Sequence, residues 1–264
     1  MSTDPWPQRA DFGNVEGVPD DIDGYDRARL AALYDPLDPD RSDLDVYVDL
    51  VGELGGRRLI DLGCGTGTFA LMLAGRGIRV TAVDPDEDAV DVARHKEGAD
   101  AVEWVIGDAS DLAPMSANVV TMTANVAQHF LTDAEWDAAL ASIRDALLPG
   151  GYLVFESRRP EVRAWDAWTP EHTRIEAEVE DYGRVQAWQE VLDVTEHLVT
   201  FRSSNAFEDG TVIEVDTTLR FRTEQELRIS LAAAGFETVE VRDAPDRPGR
   251  EFVFIARVAD EAEY

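Results

Sequence analysis

Cysteine is almost missing from this chain of 264 residues, with Cys64 the single example. One thiol cannot close an intrachain disulfide or build a zinc site from several thiolates, which points to a reducing, cytoplasmic setting. Histidine is scarce at 4 residues, and none is spaced with a second ligand in a metal-binding pattern. Lysine is reduced to Lys96; every other fixed cation is arginine. Lys+Arg total 24 against Asp+Glu 54, a formal net charge of −30. A field of that sign repels phosphate backbones and anionic lipid, so neither nucleic acid nor a membrane surface is an expected partner. No stretch approaches the roughly 18 uninterrupted apolar residues of a membrane span. The Asp-, Gly- and Pro-rich start lacks the basic and apolar regions of a secretion signal. The acidic excess itself reads as a solvated surface.

What remains is 44% apolar and free of internal repeats, which suits one α/β domain carrying an insertion. Short β-type runs at 58–62, 78–84, 102–106, 118–124 and 152–157 alternate with helical patterns, as in a parallel sheet with crossover helices. Thr132 and Glu135 form a capping box for a helix over 133–147, with Trp136, Leu140, Ile143 and Leu147 on one face; Pro149, Gly150 and Gly151 stop it. Upstream, a short helix is expected at 25–34, and Ser42 with Asp45 is expected to cap another whose stripe is Leu44, Tyr47, Val48, Val51 and Leu54. Between 175 and 221 the period changes to two: Ile213, Val215, Thr217, Leu219 and Phe221 alternate with polar residues. Tyr182-Gly183 and Asp209-Gly210 are hairpin signals, so three or four antiparallel strands are expected there. Thr223 and Glu226 cap a last helix ending at Gly235, and strands at 236–241 and 251–258 complete the main sheet.

The most informative segment runs from Leu59 to Thr68, a buried strand entering a glycine-rich turn and then a helix. Glycines let backbone approach a ligand closely, and the helix N-terminus offers unpaired N–H groups. Asp84 ends the following strand, where an acidic side chain can accept both hydroxyls of a ribose. A dinucleotide fingerprint reads G-x-G-x-x-G, whereas Gly63, Gly65 and Gly67 form G-x-G-x-G behind Asp61. An acid beside that turn repels phosphate and suits a cation. Taken singly, the same residues allow plainer roles: a tight turn for the glycines, a helix cap for Asp84, a loop cap for Asp108, a small filler for Cys64.

With these motifs in order, the chain resembles the class I S-adenosylmethionine-dependent methyltransferases, particularly small-molecule enzymes with a D-x-G-C-G-x-G signature. The resemblance is strong over 57–157 and holds in outline elsewhere. It implies a Rossmann-like, seven-stranded mixed sheet with helices on both faces, plus an antiparallel insert after strand five. It divides the chain into an N-terminal helical cap (1–56), a cofactor-binding core (57–157), a lid loop and insert facing the acceptor (158–222), and a C-terminal completion of the sheet (223–264). By the resemblance, Asp61 sits near the cofactor's amino group; Gly63, Cys64, Gly65, Thr66 and Gly67 line its methionine and ribose; Asp84 holds the ribose hydroxyls with Pro85 beside the adenine. Asp108 and Ala109 receive the adenine amino group, Asn125 and Val126 touch the methionine moiety through backbone, and Tyr34 comes from a helix folded over the cofactor. The cofactor implied is S-adenosyl-L-methionine, which lacks phosphate and carries an ammonium and a sulfonium.

A methyl on a sulfonium is already activated, so alignment and exclusion of water are the enzyme's main tasks. Where a nitrogen or oxygen acceptor must lose a proton, His129, following strand four at the ligand-binding end of the sheet, is the leading base; packing or loop orientation is the alternative role. Arg158, Arg159, Trp165, Trp168 and His172 follow strand five in a loop expected to form a lid and contact the substrate; for Trp165 and Trp168, anchoring the insert is the equal alternative. The sheet inserted after strand five resembles the acceptor domain of amino-sugar and glycine N-methyltransferases. The expected partner is a small-molecule acceptor, with a homodimer left open. Two rivals stand: a protein that binds the cofactor without catalysis, and an NAD-dependent oxidoreductase.

Overall fold

The computed structural model describes residues 24–259, so the first part of the expected 1–56 cap lies outside the described residues. Helices α1 (Gly24–Leu37) and α2 (Asp45–Glu53) precede the first strand. Strands β1 (Arg58–Leu62), β2 (Arg79–Asp84) and β3 (Val102–Ile106) alternate with α3 (Thr68–Gly75) and α4 (Glu87–Arg94). β4 (Ala117–Met122), α5 (Asp133–Ala146) and β5 (Leu147–Arg158) follow. These five strands are parallel, and β1 lies between β2 and β4. The side chains of the inner strands β1, β4 and β5 are buried on both faces, which is why these read as apolar runs without alternation, whereas edge strand β3 is largely open. Ile60, Val120 and Phe155 pack with Trp136, Leu140 and Ile143 of α5 on one side. Leu59, Val119 and Val154 pack with Tyr47, Val51 and Phe69 on the other. Each such large side chain removed from water contributes about 1.5–3 kcal/mol.

After β5, a short helix α6 (Pro170–Thr173) leads into β6 (Ile175–Val179), β7 (Gly183–Thr195), β8 (Leu198–Phe207) and β9 (Val212–Arg220), a separate antiparallel sheet. Then α7 (Glu224–Ala233), β10 (Phe236–Asp243) and β11 (Glu251–Val258) return to the first sheet, with β11 antiparallel to β5. The main sheet therefore has seven strands in the order β10-β11-β5-β4-β1-β2-β3, the mixed architecture expected. Strand order reverses at β1 and β4, and the crevice outside their carboxyl ends is where such sheets take ligands.

Local expectations hold unevenly. The Thr132–Glu135 and Thr223–Glu226 capping boxes form as read. The Ser42–Asp45 box does not: a 3-10 turn at Ser42–Leu44 comes first, Leu44 occupies the cap position of α2, and no side chain caps it. The strand expected over 118–124 stops at Met122 because Ala124 and Asn125 turn left-handed, with φ of 54° and 62°. The insert has four strands; its β7–β8 turn at Glu196-His197 has no Gly or Pro to announce it.

Candidate functional site

The crevice is built first by backbone. β1 ends at Leu62 and Gly63 turns with φ +75°; its N–H and that of Cys64 donate to the Val83 carbonyl at 2.8 and 3.1 Å. Gly67, φ +77°, opens α3. A Cβ at Gly63 would collide with the Val126 methyls, and one at Gly67 with the Trp104 ring. These two positions tolerate only glycine, by backbone conformation and by space.

Two carboxylates line this turn. Asp84, 1% exposed, accepts the Gly65 N–H at 2.6 Å and the Asp86 N–H at 2.9 Å, and burial pushes its carboxyl up to about 6. Asp86, not Asp84, caps α4. Asp61, also 1% exposed, accepts the Thr121 hydroxyl on Oδ1 at 2.9 Å; Oδ2 is buried with no hydrogen-bond partner. Burial pushes this carboxyl up to about 7. A buried carboxylate oxygen without a partner costs free energy until a cation meets it, so the position fits the ammonium end of an amino-acid ligand.

The rest of the expected set is placed as follows. Thr66 donates to Asp35 of α1 at 2.8 Å; Thr68 reaches the same oxygen at 3.3 Å, and Lys96 pairs with the other at 2.6 Å. α1 is thereby fastened across the glycine turn. Tyr34 sits beside this contact, its hydroxyl pushed up to about 12 by burial. Burial also raises the Cys64 thiol, so it stays protonated and serves as filler. Asp108 is exposed; its Oδ1 accepts the Ser110 N–H at 2.7 Å in a capping box with Asp111, while Ala109 is buried behind it. Pro85 is exposed after β2, and opposite it at the end of β3 Ile106 is 42% exposed. Together they offer apolar wall suited to a planar base, and Ile106 was not foreseen.

A second chamber adjoins the crevice. A small pocket there is lined by Ala124, Asn125, His129, Arg158, Trp168, Phe201, Thr217 and Leu219. It joins the turn after β4 to the inner face of the insert sheet. Burial lowers the His129 imidazolium to about 4, so the ring is neutral at physiological pH. Trp165 and Trp168 do anchor the insert, with ring centroids 4.5 Å from Phe221 and 4.9 Å from Phe201 respectively, and Trp168 also faces the cavity. Arg158 lines the cavity, whereas Arg159 stacks on Phe252 and His172 binds Thr169 at the surface.

Beneath this chamber lies a buried polar network that no local motif announces. Tyr47 donates its hydroxyl to Glu156, and the Asn125 N–H donates to the same carboxylate at 3.2 Å. The Asn125 side-chain amide donates to Glu251 at 3.3 Å, and Arg247 donates there at 2.7 Å. Arg158 donates to Gln128 at 2.7 Å and lies 3.8 Å from Glu251. Burial and the neighbouring Glu251 raise the Glu156 carboxyl.

A family model described as a methyltransferase domain matches residues 59–151. The ubiquinone/menaquinone biosynthesis C-methyltransferase of Rubrivivax gelatinosus is 30% identical over 199 residues, 75% of this chain and 69% of that protein. The cypemycin N-terminal methyltransferase of a Streptomyces species is 39% identical over 108 residues, 40% of this chain; there the chain spans 44% of the relative's length. Among solved structures, the CcbJ methyltransferase from Streptomyces caelestis superposes with a TM-score of 0.68 at 25% identity, covering 83% of this chain and 90% of that one. These likenesses set aside the dinucleotide oxidoreductase. Among the described residues no helix is long and apolar enough to cross a membrane, and no group of three or more His, Cys, Asp or Glu could hold a metal ion. The glycine turn, the orphaned carboxylate oxygen and the matched relatives converge: the chain belongs to the S-adenosylmethionine-dependent methyltransferases.

Proposed function

We propose that the chain methylates a nitrogen or oxygen of a small-molecule acceptor docked in the cavity between the β4 turn and the insert sheet. The observation that carries this reading is the lining of that cavity. Ala124 and Asn125 come from the cofactor side, while Phe201, Thr217 and Leu219 come from a sheet the core fold does not need. The aromatic and aliphatic wall suits an apolar body, and Asn125, His129, Arg158 and Thr217 give it a few orienting polar groups.

When bound, S-adenosylmethionine supplies an electrophilic methyl on a sulfonium. Asp61 and Asp84 would hold its ammonium and ribose hydroxyls, and Gly63, Gly65 and Gly67 would let the backbone close on it. Pro85 and Ile106 would flank the base, with Asp108-Ala109 at its edge; Val126 packs under Gly63. Aligning the acceptor and keeping water out, which is most of what such a displacement requires, would fall to the residues lining the pocket.

His129 is the base of this reading, and its chemistry is restricted by burial. A neutral imidazole that protonates only near pH 4 takes a proton readily from an oxygen that has just been alkylated, because that oxygen is far more acidic. An amine acceptor must enter neutral, since so weak a base does not strip an ammonium.

The test is incubation with S-adenosylmethionine labelled in its methyl group and mixtures of small amines, phenols and alcohols. Label is expected in a small-molecule product. Cofactor binding without transfer to any such pool would favour the non-catalytic binding protein instead.

A further inference from the structure

Asn125 is held by two carboxylates, yet its side-chain oxygen has no hydrogen-bond partner. Its backbone is left-handed, φ 62°, in tandem with Ala124 at φ 54°. Two consecutive non-glycine residues in that region are strained and persist only where the surroundings impose them. Here Glu156 takes the Asn125 N–H and Glu251 takes the side-chain Nδ2. The carboxylate fixes which end of the amide is which, because an Oδ1 turned toward Glu251 would set two acceptors against each other. The residue is 1% exposed, it lines the cavity, and its Oδ1 is buried without a hydrogen-bond partner.

We propose that Asn125 Oδ1 reads the reacting group of the acceptor, receiving a hydrogen bond from the N–H or O–H of the very atom that is methylated. This rests on the proposed function and narrows it. A buried carbonyl oxygen gains its missing bond only from a donor, so the site selects amines and hydroxyl compounds over carbon nucleophiles and ionised carboxylates, which have no hydrogen to give. Accepting that hydrogen also turns the lone pair of the reacting atom away from Asn125. The two glutamates are positioning residues for the amide, which explains why a cofactor-binding sheet carries paired buried carboxylates at the ends of β5 and β11.

The experiment compares two cofactor analogues by calorimetry. S-adenosylhomocysteine carries no group on its sulfur, whereas sinefungin carries an amine at the place of the transferred methyl and so presents N–H donors to the cavity. The wild type is expected to bind sinefungin about tenfold more tightly. Asn125→Gly, which suits a left-handed backbone, should bring the ratio of the two affinities to about one, whatever happens to their common level. Glu251→Gln, in which the amide partner no longer fixes the orientation of Asn125, should reduce the preference partway and decides the matter if the glycine variant melts early. Equal weakening of both analogues, or a preference surviving in both variants, overturns the role of Asn125 and leaves the proposed function standing. Failure of the wild type to bind either analogue would overturn the cofactor site, and the inference with it.

Discussion

The glycine-turn crevice proposed for the cofactor and the pocket proposed for the acceptor are encoded differently. The crevice is made by strand ends that succeed one another: Asp61 and the glycines after β1, Asp84 after β2. Its specificity is carried by backbone conformation and by carboxylates whose positions the strands dictate. The cavity is made by residues from the turn after β4, from β5, the loop before α6 and the insert sheet, and its supporting bonds span 109 residues from Tyr47 to Glu156 and 126 from Asn125 to Glu251. Chemistry held by backbone leaves a local trace in the chain. Chemistry held by distant side chains does not.

The sharpest way to probe the first kind is Gly67→Ala. A Cβ there meets the Trp104 ring and Ala93 Cβ at 2.9 Å, on a backbone with φ +77°. Left-handed strain of about 1–2 kcal/mol adds to overpacking of about 1–3 kcal/mol. Cofactor affinity should fall more than about thirtyfold, with a lowered melting temperature, as read by calorimetry and thermal unfolding. Affinity within twofold of wild type would mean the turn is not the close-approach surface.

Legibility follows the same division. The five parallel strands, the insert's alternation at Ile213, Val215 and Leu219, and the two capping boxes were readable because each depends on neighbours within a few residues. The Ser42–Asp45 box failed because a 3-10 turn shifted the cap by two positions, an outcome set by packing of Leu44 rather than by propensity. Glu156 was invisible for another reason. In the run Val154-Phe155-Glu156-Ser157 it looks like one charge in an apolar strand, and only Tyr47 and Asn125, brought in by α2 and β4, give it a purpose. Ile106 could have been caught: it ends an apolar strand opposite Asp84.

The next effect is smaller and depends on pH. Asp84→Ala should weaken S-adenosylhomocysteine binding by about 1–3 kcal/mol through lost charged hydrogen bonds. In the wild type the two carboxyls stand at about 6 and about 7 because of burial. A cationic ligand favours their ionised forms, so affinity should rise from about pH 5 to 8 and then level off. Stability of the free protein should run the other way. A carboxyl whose folded value lies above its unfolded one contributes stability at low pH that is lost as pH climbs through about 6 to 7. Calorimetry and thermal melts across that range, moving together instead of in opposition, would show that the carboxylates do not face the ligand.

On the acceptor side, His129→Ala should lower turnover about tenfold with an oxygen acceptor, less than a well-matched base would give. Cofactor affinity should not change. Because burial holds the ring neutral above about pH 4, the wild-type rate should be flat through neutrality as far as His129 governs it. Full turnover in the variant would leave His129 a packing residue.

The smallest effect bears on α1, an element that touches both regions. α1 carries Arg29, 3% exposed, which stacks 3.7 Å from the Phe207 ring and pairs with Asp209 at 2.9 Å in the insert. Two turns later it carries Asp35, bonded to Thr66, Thr68 and Lys96 around the glycine turn. The helix ties the insert sheet to the glycine turn. Asp35→Ala cuts that tie on the cofactor side only. Since the pair is part-exposed, its loss should cost under about 1 kcal/mol of stability. The kinetic consequence is larger than the thermodynamic one, because a latch closed over a bound ligand acts chiefly on escape: S-adenosylhomocysteine should leave about threefold to fivefold faster by stopped flow, with a smaller change in the on-rate. Raising salt should reproduce part of the effect in the wild type and none of it in the variant. An unchanged off-rate would make the two regions as separate in function as they are in sequence.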